Sequence, residues 1–133
     1  MNYSGSDDME IEGAITTALK AVLDAKVYPG GKAPENVTAP YTVFWMISDS
    51  PEARRLKNPY PRYQIDHYGN TYSEVKARAK LCYNALADKQ GILGGTGGVP
   101  VEYISYEGGD ELPDPATGLF RVTQDFKIRF KEE

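Results

Sequence analysis

Cysteine, histidine and tryptophan each occur once in the 133 residues, as Cys82, His67 and Trp45. One cysteine excludes an intrachain disulfide and fits a reducing compartment. One histidine and one cysteine on separate segments, with no carboxylates at helical ligand spacing, leave no donor set for a transition-metal site. Nothing in the sequence brings His67 to Cys82 or to a serine, so no nucleophile–base pair emerges. The five glycines between Gly91 and Gly98 match no Walker or dinucleotide fingerprint. They also precede a strand rather than a helix, so they read as a flexible turn. No catalytic residue and no cofactor is expected.

Other absences narrow the field further. No apolar run reaches the roughly 20 residues of a membrane span. The segment Met1 to Glu10 is polar and acidic, without the basic-then-apolar order of a signal peptide, so synthesis in the cytosol is expected, with no membrane partner. There is no basic excess: the net charge is −4 and the pI near 5.1. This balance counts against a nucleic-acid binder.

What is present is an ordinary globular composition, 41% apolar and 26% charged, with ten tyrosines. A chain of this size buries roughly two-thirds of its unfolded surface, enough for one core. Tyrosine suits half-buried sheet positions and protein contacts.

Met1 to Asp8 reads as a frayed tail and residues 9–133 as one domain. Ile11, Ile15, Ala18, Leu19, Val22 and Leu23 recur at helical spacing, and Pro29-Gly30-Gly31 is expected to end that helix. Tyr41 to Ser48 carries apolar groups on both alternating sets, the mark of a strand covered on both faces, with Trp45 read as a core aromatic. Asp49 to Pro61 reads as a loop or hairpin tip, and Arg62 to Tyr68 as a strand with His67 on its surface. Thr71 and Glu74 form a capping-box pattern before a helix ending near Lys89. Cys82 lies in that helix's apolar stripe, where it is expected to be buried and inert.

Val101 to Tyr106 reads as a strand and Gly108 to Gly118 as an acidic hairpin loop. From Phe120 to Phe130, even positions are apolar except Gln124 and odd positions are polar, the clearest period-two pattern in the chain. The expected fold is α+β in the order α-β-β-α-β-β. It has a single antiparallel or mixed sheet of about four strands, with two helices packed on one face.

Three stretches carry a family resemblance. Ala39-Pro40-Tyr41-Thr42-Val43-Phe44 through Ile47-Ser48-Asp49-Ser50-Pro51 resembles the first strand of the tail terminator, or tail completion, proteins of long-tailed bacteriophages. Tyr63-Gln64-Ile65-Asp66-His67-Tyr68-Gly69-Asn70-Thr71-Tyr72-Ser73-Glu74-Val75-Lys76 is similar to that family's strand-to-helix signature. Gly118-Leu119-Phe120-Arg121-Val122-Thr123-Gln124-Asp125-Phe126 is similar to its closing strand. The three fall in order between Ile11 and Phe130.

The resemblance implies a virion protein of the tail or neck, made in the bacterial host. It implies a homo-oligomeric ring, commonly a hexamer, that caps the head-proximal end of the tail tube. The ring stops polymerisation and joins the tube to the head–tail connector, so its partners are itself, the major tail tube protein and the connector. DNA passes through such a ring without being bound specifically. Another neck or head-closure component, or a nucleic-acid module using the basic residues Lys76, Arg78 and Lys80, are the alternative readings.

Candidate interface residues follow from loop length and charge. They are Arg54, Arg55, Lys57 and Arg62 around the proline-rich loop, and Asp110, Glu111 and Asp114 in the acidic hairpin. Arg121, Lys127 and Arg129, on the polar face of the last strand, complete the set.

Overall fold

The computed structural model describes residues 4–130, and their side chains from residue 10 onward. In chain order the elements are α1 (Ser4–Val22), β1 (Val27–Pro29), β2 (Tyr41–Ser48), α2 (Pro51–Arg55), β3 (Arg62–Gly69), α3 (Tyr72–Leu86), β4 (Gly91–Leu93), β5 (Val99–Asp114) and β6 (Leu119–Phe130). The first helix begins at Ser4, inside the stretch expected to be a frayed tail; residues 1–3 of that stretch lie outside the described residues.

The expectation of a four-stranded sheet with two helices on one face is overturned. The described residues hold a six-stranded sheet in the order β1-β2-β3-β6-β5-β4, curled into a half-barrel, with three helices. β1 runs parallel to β2, and every other pair is antiparallel. The extra elements are short ones, at the end of the expected first helix and in stretches read as a loop or turn. Pro29, expected to end α1, instead ends β1, where Val27 to Pro29 pairs with Thr42 to Phe44. The first three residues of the glycine-rich segment, Gly91 to Leu93, pair with Val99 to Val101.

Within Asp49 to Pro61, Pro51 opens a single helical turn and Ser50 caps it, its Oγ accepting from the Ala53 amide at 3.2 Å. The acidic segment Gly108 to Gly118 is strand as far as Asp114, continuous with β5.

The core lies between one sheet face and the α1–α3 pair. Ile11, Ile15 and Leu19 of α1 and Cys82 and Leu86 of α3 meet Phe44, Ile65, Ile104, Phe126 and Ile128. Burying such a side chain contributes about 1.5–3 kcal/mol. Trp45 is half-buried rather than central: it sits on the other face of β2, against the Gly31 backbone. The α3 start follows the capping-box pattern with one change. Thr71 Oγ1 accepts from the Glu74 amide at 3.1 Å, while the Glu74 carboxylate accepts from the amide of Asn70, not of Thr71, at 2.8 Å.

One close approach needs glycine. Just past the bulge in β5, a Cβ on Gly109 would lie 2.3 Å from the Thr123 carbonyl oxygen. The hairpin carrying the acidic residues is therefore seated flush on β6.

Candidate functional site

The alternation of β6 sorts its side chains cleanly. Val122, Gln124, Phe126, Ile128 and Phe130 are buried toward the helices, and Arg121, Thr123, Asp125, Lys127 and Arg129 share the outer sheet face. These polar residues are engaged with neighbours on β3 and the loop before it. Asp66, 1% exposed, accepts from Arg121 at 2.6 Å, Thr123 at 2.9 Å and Gln64 at 3.1 Å. Asp125 pairs with Arg62 at 3.5 Å. Lys127 and Arg129 both lie over the Tyr60 ring, at 5.4 and 4.5 Å from its centroid.

The register divides the expected interface residues into two groups. Arg62 faces Lys127 at one end of the β3–β6 pair, and Gly69 faces Phe120 at the other. α2 joins the first end: the Phe130 amide donates to the Pro59 carbonyl, and Arg54 lies over the Phe130 ring. Arg54, Arg55, Lys57, Arg62, Lys127 and Arg129 thus form one basic end, with Tyr60, unmarked in the sequence, at its centre.

Asp110, Glu111 and Asp114 form the other end with Arg121. Glu111 reaches across to α3, accepting from Tyr72 Oη at 2.9 Å and pairing with Lys76. The Lys76 ammonium and the Tyr72 hydroxyl hold this carboxyl below its usual range. Asp114 accepts from Thr117 Oγ1 at 2.9 Å and fixes its own turn.

Both ends also carry apolar surface. Leu56, flanked by Arg55 and Lys57, is 68% exposed, and Lys57 at φ 60° turns the chain sharply just after it. At the acidic end a mostly apolar cavity of about 250 Å³ opens between α3 and the hairpin, walled by Tyr72, Leu112, Pro113 and Phe120.

Two expectations fail at the sheet centre. His67 is fully buried toward the helices, not on the strand surface, and Arg78 is 6% exposed, not part of a basic helix face. They belong to one directed chain of hydrogen bonds. Arg78 Nε donates to Thr42 Oγ1 at 2.9 Å; Thr42 Oγ1 lies 2.9 Å from His67 Nδ1; His67 Nε2 lies 2.8 Å from Gln124 Oε1; and Gln124 Nε2 donates to the Ala79 carbonyl at 3.0 Å. The direction assigns the Nε2–H tautomer to His67.

Burial pushes the imidazole down to about 4, so it is neutral near pH 7. Arg78 closes the network with a two-pronged bond to Asp24, at 2.8 and 3.0 Å. With Arg78 enclosed and Lys76 held by Glu111, a nucleic-acid surface on this helix loses two of its three expected cations. Cys82 is fully buried, and burial pushes its thiol well up, as its place in the stripe implied.

Among the described residues, no group of three or more His, Cys, Asp or Glu is placed to hold a metal. No helix there is long and apolar enough to cross a membrane. The polar clusters described above are pairs within the fold.

No protein-family model and no curated protein matches the chain. Among solved structures, a chain from the "Virion of native gene transfer agent (GTA) particle" is similar, with a TM-score of 0.67 and 14% identity. That likeness is one of fold. It covers 96% of this chain and 99% of the other, so the two share one architecture from end to end.

Proposed function

We propose that this chain is a structural virion protein, a tail terminator. In this reading it forms a ring, commonly of six subunits, on the head-proximal end of a phage-like tail tube. There it stops tube growth and presents its other surface to the head connector. The observation that carries the reading is the end-to-end likeness in fold to a virion chain of a gene transfer agent particle. The ordered resemblance of three stretches, beginning at Ala39, Tyr63 and Gly118, to terminator proteins is what points to the head end of the tail.

The chemistry agrees with that role. A ring subunit needs two unlike sides that close on rotation, and this sheet ends in a basic surface and an acidic one. Capping needs no catalysis, and the buried polar groups here serve packing. The partners in this reading are further copies of the chain, the tail tube protein and the connector.

Deleting the gene from the element that encodes it tests the proposal. The expected result is tails of uncontrolled length that fail to join heads, restored by supplying the chain in trans. Particles with tails of normal length, joined to heads, would contradict it.

A further inference from the structure

The basic and acidic ends cannot pair within one chain. Eight residues of β6 separate Lys127 from Leu119, which faces Asp114, and at strand rise this is about 26 Å. The basic end gathers Arg54, Arg55, Lys57, Arg62, Lys127 and Arg129 against the carboxylates Asp49, Glu52 and Asp125. At the acidic end the nearby cations are already engaged, Lys76 by Glu111 and Arg121 by Asp66.

The apolar features at the two ends complement each other as well. Among the described residues Leu56 is the most exposed large hydrophobic one, and it stands between two exposed cations. The cavity at the far end is mostly apolar and at about 250 Å³ has room for one leucine side chain; its charged lining, Glu111 and Arg121, is paired within the chain, with Lys76 and Asp66, and Asp110 and Asp114 stand beside it on the same hairpin.

We infer that copies of this chain join head to tail: Arg55-Leu56-Lys57 of one copy seats Leu56 in the Tyr72–Leu112–Pro113–Phe120 cavity of the next, with the flanking cations against Asp110 and Asp114 of the hairpin beside it. The contact is heterologous, since each copy offers two different surfaces, so it propagates and closes only through rotation. The burial of Leu56 supplies affinity, and the charges set register and exclude like ends. This contact rests on the ring reading above and names the surfaces that build the ring.

The test is a charge-swap pair read by sedimentation at low salt. One variant carries Arg55→Glu with Lys57→Glu, and the other Asp110→Lys with Asp114→Lys; circular dichroism confirms that both fold. The wild type is expected to self-associate, less so as salt rises. Each variant alone presents like charges to itself and is expected to associate at least about tenfold more weakly. An equimolar mixture restores opposite charges at every junction and is expected to recover assembly in a one-to-one ratio. Leu56→Asp is expected to abolish association without a rescuing partner among these variants.

Variants that each assemble like the wild type, or a mixture that stays dissociated, overturn the contact while leaving the ring reading in place. A wild type that is monomeric up to millimolar concentration also overturns it, and the gene-deletion phenotype then judges the terminator reading separately.

Discussion

Oγ1 of Thr42 lies 2.9 Å from Nδ1 of His67, and both side chains are fully buried. Thr42 is the junction of the polar chain, because the same oxygen accepts a hydrogen bond from Arg78 Nε. Replacing it with valine keeps the shape and removes both bonds. Thr42→Val is expected to destabilise the fold by about 1–3 kcal/mol, the cost of leaving buried groups unsatisfied. Urea unfolding at pH 7 measures this.

The neutral state of His67 makes stability depend on pH. The folded imidazole titrates at about 4, against 6.5 for the free group. Between those values the unfolded chain binds the proton and the folded one does not, so stability falls as pH drops from about 6.5 toward 4. The full loss is on the order of 3 kcal/mol. Urea titrations at several pH values are expected to show this slope, and a His67→Gln variant to lose this component of it.

Arg121 lies over an enclosed carboxylate. Asp66 is 1% exposed, and Arg121 is the cation bonded to it, at 2.6 Å. Arg121→Ala leaves a buried charge without its partner and is expected to cost about 3 kcal/mol. Arg121→Ala combined with Asp66→Asn is expected to recover part of that loss, and a double-mutant cycle of unfolding free energies reads the coupling.

Gly109 is expected to tolerate no side chain. The added Cβ of Gly109→Ala meets the Thr123 carbonyl at 2.3 Å, so the β5–β6 hairpin must shift. The expected loss is about 2 kcal/mol or more. Gly97→Ala, whose added Cβ meets nothing within 4 Å, removes no packing and is expected to cost less despite its φ of 78°. Thermal unfolding compares the two.

Strong periodicity made much of this fold legible in the sequence. β2 spans Tyr41 to Ser48 as its β-branched and aromatic run implied, and β6 divides into apolar and polar faces along its whole length. β1, α2 and β4 escaped because three to five residues carry too little periodicity to stand out, and each is held by tertiary pairing or a local cap. The expected strand stops at Tyr106 because the two glycines after it resemble a turn, whereas the register shift between Tyr106 and Gly108 is a bulge and the strand continues.

Arg78 and His67 were misplaced for a shared reason. Polar residues default to the surface in a sequence reading, and their burial depends on partners from three other segments, which no local pattern reveals. Of the candidate contact residues, the basic loop and the acidic hairpin were visible as charge. Their separation to opposite ends of one sheet, and the roles of Tyr60 and Leu56, required the register.

Cryo-electron microscopy of the intact particle tests the central claim most directly. A closed ring of this chain is expected between the last tail-tube ring and the head connector, with the basic end of each subunit against the acidic end of the next. Density for the chain elsewhere in the particle, or its absence from the head–tail junction, would contradict it.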